Sequence, residues 1–249
     1  MKMCDTRNIK AGRPQGSILG PILFIIYCAD FPIKTDGTNV LTAFYADDTT
    51  VASSSLGPNN AIKKLKKIIP DIEAWCAMWK TSINASKSSI LLIRRSYRRK
   101  FKSDVVKLFN EVIPYVKKMK YLGVTLTKTL HGGEHITNTI GKAEGAYQSL
   151  RQILKYDSTL DLSTKVLLYK QCLRPILTYA SPVWGTISNQ QKNRLKVFEH
   201  KVLRRITGAP WFIRNKAILN DLGLDSITEH LAQLNTGFYK EATACSKSD

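Results

Sequence analysis

The strongest constraint on this chain comes from a short polar pair between two apolar, β-prone runs. Residues 40–44 form the first run and residues 50–52 form the second. Two such runs joined by a tight polar connection predict a β-hairpin. The connection contains Asp47 and Asp48, so we expect the hairpin to present two adjacent carboxylates at its turn.

Adjacent carboxylates repel each other, and a turn that keeps both ionised favours the binding of a divalent cation. Aspartate is also a common turn residue because its side chain bonds to the local backbone. On this stretch alone, a solvated hairpin turn therefore stands as the alternative to a metal site.

A second motif lies upstream of the hairpin, and its sequence runs Gly12-Arg13-Pro14-Gln15-Gly16-Ser17-Ile18-Leu19-Gly20-Pro21. An apolar run with helical spacing follows it, and Ser17 is placed to cap that helix. Together with the Tyr-Ala-Asp-Asp box at residues 45–48, this run resembles the template loop and catalytic hairpin of reverse transcriptases. The Gln-Gly-Ser-x-Leu-Gly-Pro form is similar to the enzymes of non-LTR, jockey- or LINE-like retrotransposons. Viral RNA-templated RNA polymerases usually place glycine where Ala46 stands, which argues against that class.

The resemblance implies a role for each motif. Asp47 and Asp48 would be catalytic and would hold two Mg²⁺ ions. The positions implied to contact the template and the incoming dNTP are Pro14, Gln15, Gly16, Tyr45 and Ala46. An exposed turn residue is the alternative interpretation of Gln15.

Two further segments match the family downstream of the hairpin. Lys87, in the turn Asn84-x-x-Lys87, would approach the triphosphate, where it could balance charge or donate a proton to pyrophosphate. An exposed turn lysine is the alternative. Tyr121, Leu122 and Gly123 resemble the segment that holds the primer 3′ end, and Gly123 would allow the primer backbone a close approach.

The formal net charge of +19 predicts a polyanionic partner, with nucleic acid first and an anionic membrane surface second. The densest basic run spans residues 94–102 and interleaves Tyr97 and Phe101. Such a pattern suits contact with a nucleic-acid backbone, although a nuclear-import signal is a compatible alternative. The expected backbone contacts are Arg94, Arg95, Arg98, Arg99 and Lys100.

The composition excludes several other classes. A hydrophobic content of 43% with 23% charged residues is typical of a globular protein rather than a disordered one. The five cysteines are widely spaced, so neither a zinc site nor a disulfide framework is expected. We find no signal peptide and no membrane span, and we expect an intracellular protein, in the nucleus or cytoplasm.

The predicted fold class is α+β. We expect a partial right-hand polymerase palm over residues 1–128, built of antiparallel hairpins packed on helices. An all-helical thumb and extension would follow over residues 129–249. Predicted elements are a helix over residues 61–80 that Pro70 kinks or restarts, a hairpin between residues 112–116 and 119–126, and helices over residues 135–156, 161–174 and 189–207.

Two predictions concern the side chains of the helical half. The basic positions of the third helix form either a duplex-gripping face or a solvated face, and they are Lys192, Arg194, Lys196, Lys201, Arg204 and Arg205. Trp184, Trp211 and Phe212 are interpreted as core residues rather than contact surfaces.

The resemblance also implies a third aspartate, on a strand well upstream of Pro14, that completes the metal site. Asp5 is the one carboxylate before Pro14, but it lacks an apolar strand context and lies too close to the loop. The fingers region is also not found. We therefore expect an N-terminally truncated RNA-directed DNA polymerase, impaired in two-metal nucleotidyl transfer. Its partners would be an RNA template and DNA primer, dNTP, and the missing N-terminal polymerase part or an endonuclease of the full-length element.

Two alternatives from other classes stay open. One is a non-catalytic nucleic-acid-binding module derived from a retroelement. The other is a basic interaction protein with no nucleic-acid role.

Overall fold

The computed structural model describes residues 18–32, 39–94, 104–185 and 187–245. Contacts divide the chain into two compact units, Met1–Val116 and Lys117–Asp249. The described residues mix helix and strand, so the predicted α+β class is confirmed at that level. The hairpin at residues 118–127 belongs to the second unit, whereas the sequence-based division places it in the first domain. The palm and thumb roles of the two halves stay predictions.

The described part of the first unit consists mainly of short strands and two helices. In chain order these are α1 (Leu19–Tyr27), β1 (Val40–Tyr45), β2 (Asp48–Ser53), α2 (Pro58–Met78), a 3-10 turn (Ala85–Lys87), β3 (Ile90–Leu91), β4 (Lys107–Leu108), β5 (Glu111–Val112) and β6 (Tyr115–Val116). β1 and β2 form an antiparallel hairpin, which confirms the first prediction. β3 pairs in parallel with β6, and β4 pairs antiparallel with β5.

An aromatic cluster forms the centre of the first unit. Phe31 is buried, and its ring lies edge-on to those of Phe44 and Trp75, with centroids 4.5 and 4.8 Å away. Asp30 supports the cluster, because its two carboxylate oxygens accept hydrogen bonds from the indole N–H groups of Trp75 and Trp79, each at 2.9 Å. These bonds, that from Trp75 first, lower the pKa of Asp30. The cluster thus joins α1, β1 and α2.

The helix α2 runs through Pro70 as one element, so it does not restart as the sequence predicted it could. Pro70 is exposed, while Ile68 and Ile72 on either side are buried in the core. A proline inside a helix removes one backbone hydrogen bond. The burial of the flanking isoleucines offsets that loss, since packing of an apolar face supplies most helix stability in proteins.

The helix α1 exposes an unusual amount of apolar surface. Its large exposed side chains are Leu19, Ile22, Leu23, Ile25 and Ile26. Tyr27 instead packs against the aromatic cluster, with its ring centroid 4.9 Å from that of Trp79. A helix that is apolar all round is normally covered by other protein.

The predicted hairpin between residues 112–116 and 119–126 is wrong. The strand that contains Tyr115 pairs with β3, and the later run folds on itself to form β7 (Lys118–Tyr121) and β8 (Val124–Thr127). Leu122 and Gly123 connect these two strands with φ of 44° and 80°. A tight type I′ turn requires positive φ at both of its central residues. Because both residues meet this requirement, residues 118–127 form a hairpin by themselves.

The rest of the second unit is helical in its described residues. Its helices are α3 (Gly133–Leu150), α4 (Leu162–Leu168), a π-helical turn (Tyr169–Leu173), α5 (Arg174–Thr178), α6 (Ser181–Trp184), α7 (Asn189–Thr207), α8 (Asn215–Asp221) and α9 (Ile227–Cys245). The helix α7 has the predicted bounds. Asp161, where the sequence predicts a helix to begin, caps α4, since its Oδ2 accepts a hydrogen bond from the backbone N–H of Thr164 at 3.0 Å.

A buried polar contact joins three of these helical segments. Glu199 of α7 is fully buried, and its Oε1 accepts a hydrogen bond from the Tyr169 hydroxyl at 2.7 Å. Its Oε2 accepts one from the backbone N–H of Ile227 at 2.9 Å. Burial raises the pKa of Glu199, but both oxygens are satisfied, as a buried carboxyl requires.

The sequence interpretation of three aromatic residues as core is correct for one and wrong for two. Trp184 is 5% exposed and donates its indole N–H to the Tyr179 carbonyl at 2.8 Å. Trp211 and Phe212 are 89% and 65% exposed. They lie in the loop between α7 and α8, and among the described residues no helix covers them.

His135 links α3 to β8 in its unprotonated form. Its Nδ1 accepts a hydrogen bond from the backbone N–H of Thr125 at 3.2 Å, which a protonated nitrogen could not do. Burial, and secondly the charge of Lys142, lower the pKa of His135.

We therefore expect the folded state to lose stability as the pH falls. The folded pKa of His135 lies below the unfolded value of about 6.5, so its contribution is complete above that value and is lost as the pH falls through the folded pKa. His135→Gln, which keeps an acceptor for Thr125, should flatten the pH dependence of the unfolding free energy. Urea titrations between pH 7.5 and 5 measure this pH dependence of the unfolding free energy. The exposed His131→Gln serves as control, and equal slopes in both variants would contradict the assignment.

Candidate functional site

The β1–β2 hairpin has one buried and one exposed face. Val40 and Thr42 are buried on one face, and Phe44 joins them against the aromatic cluster. The alternate positions of β1 are exposed, and Tyr45 among them is 64% exposed. Asp48 pairs across the hairpin with Tyr45, so both side chains lie on the exposed face, next to the turn.

The turn itself consists of Ala46 and Asp47, because Tyr45 and Asp48 are the last paired residues. Ala46 has a φ of 50°, in the left-handed region. Tight hairpins need this conformation at the first turn residue, and glycine adopts it at least cost. The side chain of Ala46 therefore makes this turn strained.

Asp47 and Asp48 are both exposed. Within the described residues, neither carboxylate has a hydrogen bond or an ion pair. The hairpin thus holds two acceptor groups at its tip that no other described residue neutralises. Carboxylate oxygens of this kind suit hard divalent cations. Over the described ranges, no group of three or more His, Cys, Asp or Glu side chains is gathered for a metal ion.

Lys87 lies in a short turn that Asn84 stabilises. The Oδ1 of Asn84 accepts hydrogen bonds from the backbone N–H of Lys87 at 3.1 Å and from the hydroxyl of Ser86 at 2.7 Å. Ser88 donates to the Asn84 carbonyl at 2.9 Å. The turn leaves the Lys87 side chain exposed, and in the described part of the chain no hydrogen bond or ion pair joins it to Asp47 or Asp48.

The segment Tyr121–Gly123 contains the last residue of β7 and the two turn residues of the β7–β8 hairpin, and a residue far along the sequence binds it. The hydroxyl of Tyr179 donates a hydrogen bond to the Leu122 carbonyl at 2.9 Å. A Cβ atom added at Gly123 would lie 3.0 Å from Cε1 of the same tyrosine. Gly123 is therefore required both by its φ of 80° and by the approach of the Tyr179 ring.

Several predicted site residues fall outside the described ranges. These are Pro14, Gln15, Gly16, Arg95, Arg98, Arg99 and Lys100. Arg94 is described, is half-buried and has an interaction partner.

Sequence reasoning missed two residues that position the predicted site segments. Asp30 accepts hydrogen bonds from two tryptophan indoles of the aromatic cluster against which the hairpin packs. No sequence feature predicted that Tyr179 would form a hydrogen bond with Leu122, which lies 57 residues earlier. Neither pairing follows from sequence spacing, because both depend on tertiary packing.

Comparison with known proteins decides the family. A profile of the reverse transcriptase (RNA-dependent DNA polymerase) family matches residues 2–126, which include the carboxylate hairpin and the Lys87 turn. The chain belongs to the reverse transcriptase family. Its predicted resemblance to the enzymes of non-LTR retrotransposons is confirmed.

Two relatives of this reverse transcriptase chain are named as RNA-directed DNA polymerases of Drosophila mobile elements. It is 32% identical over 235 residues to a probable RNA-directed DNA polymerase from transposon BS of Drosophila melanogaster, which covers 91% of this chain and 26% of the relative. It is 32% identical over 233 residues to the RNA-directed DNA polymerase from mobile element jockey of the same species, covering 92% of this chain and 25% of the relative. The chain thus spans about a quarter of the length of these curated relatives. No solved structure matches it.

The part of the reverse transcriptase chain that the structure describes contains no helix with the length and apolarity that crossing a bilayer demands.

We expect Ala46→Gly to stabilise the hairpin by about 1 kcal/mol, because glycine relieves the strain of the positive φ. The measurement is the free energy of unfolding from urea titration. Ala52→Gly, at an exposed position within β2 of the same hairpin, is the matched control and should cost about 0.5–1 kcal/mol. A loss of stability in both variants would show that the turn is not strained.

Gly123→Ala should destabilise the chain by about 1–3 kcal/mol, since alanine is strained at this φ and its Cβ crowds the Tyr179 ring. Gly141→Ala provides the control, because this exposed helical glycine of α3 has open space around it and should gain about 0.5–1 kcal/mol. Thermal or urea unfolding distinguishes the two. Equal effects would contradict the packing of Tyr179 on the turn.

Proposed function

We propose that this chain is part of an RNA-directed DNA polymerase that extends a primer 3′ end by two-metal nucleotidyl transfer. The observation that carries the proposal is the exposed pair Asp47 and Asp48, which no other described residue neutralises, at the tip of a hairpin with a buried opposite face. The family match supports it. The chemistry of the pair also fits, since carboxylates are the ligands that divalent cations of this class prefer.

In this proposal Asp47 and Asp48 hold the divalent ions, proposed to be Mg²⁺. When bound, such ions activate the primer 3′-hydroxyl and stabilise the charge of the transferring phosphoryl group. The chain's own contribution is to fix the two carboxylates, through the packing of Phe44, on a rigid strand end. Tyr45 and Ala46, exposed beside them, would contact the incoming dNTP or the template.

The other site segments take supporting roles. Lys87, exposed on its capped turn, would neutralise phosphate charge or donate a proton to the leaving pyrophosphate. Tyr121, Leu122 and Gly123 would hold the primer end. Pro14, Gln15 and Gly16 would contact the template, and Arg94 with its basic run would contact the nucleic-acid backbone.

We further propose that the chain alone is catalytically incomplete. The resemblance implies a third aspartate in the metal site, and we propose that a further polypeptide segment supplies this aspartate. The exposed apolar surface of α1 supports this, because such a helix is normally covered by further protein. The missing partner would be the N-terminal polymerase part of the full-length element, with any endonuclease also elsewhere.

We expect purified chain to bind an RNA–DNA primer–template in a salt-sensitive manner and to extend it poorly. Asp47→Asn should leave binding unchanged and abolish any residual extension, because the lost charge removes a metal ligand rather than a backbone contact. Fluorescence anisotropy measures binding, and gel analysis of labelled primer measures extension. Efficient extension by the unmodified chain would contradict the incompleteness, while extension that survives Asp47→Asn would contradict the role of Asp47.

Metal binding gives a readout that does not depend on activity. Titration with Mn²⁺, followed by electron paramagnetic resonance, should show a site that Asp47→Asn combined with Asp48→Asn weakens by at least about tenfold. Asp221→Asn, at an exposed position of α8, is the charge-matched control. Equal Mn²⁺ binding in the double variant and the control would place the metal elsewhere.

A non-catalytic nucleic-acid-binding module is the second candidate, and the net charge of +19 favours it. The same experiments separate the two. Binding to primer–template without an Mn²⁺ site at residues 47–48 would support the module.

A further inference from the structure

A basic cleft of about 520 Å³ lies in the second unit, between the C-terminal parts of α3 and α7. Its lining residues are Tyr147, Gln148, Arg151, Lys201, Arg204 and Arg205. Four of the six are cations and none is acidic, so the cleft has the charge of an anion-binding site.

The cations of the cleft are only partly neutralised. Lys201 pairs with Glu144 at 2.9 Å and lies 5.6 Å from the centroid of the Tyr147 ring. Arg151 is exposed, and no hydrogen bond or ion pair joins its side chain to another described residue. The Nε of Arg205 is buried and has no acceptor in the described part of the chain. The cleft therefore keeps donors for an added anion.

Arg204 connects this cleft to the loop between α7 and α8. Its Nε donates a hydrogen bond to Oδ1 of Asn215 at 3.0 Å, and Nη1 donates to the carbonyl of Pro210 at 2.7 Å. Nη2 donates to the carbonyl of Ile213. All three acceptors are neutral, so these bonds order the loop and leave the charge of Arg204 in place.

The ordered loop presents aromatic rings to solvent. Trp211 is 89% exposed, and Phe212 lies edge-on to it with ring centroids 6.0 Å apart. Tyr156 is also exposed and packs on the loop at Gly208, where an added Cβ would meet its ring at 2.9 Å. Leaving these aromatic rings exposed to water is unfavourable unless a bound partner covers them.

We propose that the cleft and the Trp211 loop together bind an unpaired segment of polynucleotide. Arg151, Arg205 and Lys201 would contact its phosphates, and Trp211 would stack on a base. This assignment rests on charge, cavity and aromatic exposure, and it does not depend on the polymerase chemistry at Asp47.

The chemistry of the surface selects this ligand. A basic groove beside exposed aromatic rings matches single-stranded nucleic acid, whose unpaired bases offer ring faces and whose backbone offers phosphates. A fully paired duplex has no free base face for Trp211. Phosphates and base faces are common to RNA and DNA, so the site is expected to bind both.

The test uses the whole chain and fluorescein-labelled 12-nucleotide strands of RNA and DNA, followed by anisotropy over a range of salt concentrations. Trp211→Ala should weaken the binding of both strands by about 5- to 100-fold without changing the salt slope. Trp211→Phe should restore most of the affinity. Arg151→Ala should lower the magnitude of the salt slope by about 0.7, whereas Arg151→Lys should not.

Matched controls come from α9. Phe238→Ala removes an aromatic ring that is 52% exposed, and Lys240→Ala removes an exposed cation, both away from the cleft lining. Circular dichroism verifies that each variant is folded. Unchanged affinity in Trp211→Ala, or equal losses in the Phe238→Ala control, would overturn the proposal, as would equal weakening of blunt-duplex binding by Trp211→Ala.

Discussion

The packing of Phe44 against Phe31, which in turn packs on Trp75, is the contact on which the candidate catalytic site depends. It buries one face of the β1–β2 hairpin, and burial of one face specifies the register of a hairpin, because a slip of one residue turns every side chain to the opposite face. The register in turn places Asp48 beside Tyr45 on the open face and Asp47 in the turn. Asp30 reinforces the arrangement by binding the indoles of Trp75 and Trp79.

The second unit uses a different principle to position its functional candidates. There, side chains bind the carbonyls of irregular backbone: Tyr179 donates to the Leu122 carbonyl from a distant segment, and Arg204, at the end of α7, donates to two carbonyls of the adjoining loop that contains Trp211. Each side chain donates to a backbone carbonyl of a turn or loop, and these hydrogen bonds stabilise one conformation of that segment. A turn that is already held in one conformation loses little conformational entropy when a ligand binds to it.

Local signals predicted much of the architecture. The apolar runs around Asp47 and Asp48 predicted the hairpin, the capping residue Asp161 marked the start of α4, and the pattern over residues 189–207 matched α7. The prediction of strand pairing failed where the local sequence allowed more than one pairing. The run at residues 112–126 contains more than one possible strand pairing, and only the contact of β6 with β3 excludes the hairpin expected from sequence.

By itself, the sequence determined the family, the carboxylate pair and the large positive charge, since residue identity and short-range spacing carry all three. Tertiary structure alone decided which aromatic residues are covered and which are free. Both Trp184 and Trp211 closely follow a proline in the sequence, yet Trp184 is buried with its indole N–H bonded to the Tyr179 carbonyl, while Trp211 lies on an exposed loop. Burial depends on which segments meet across long sequence separations, and no local pattern of residues specifies that meeting.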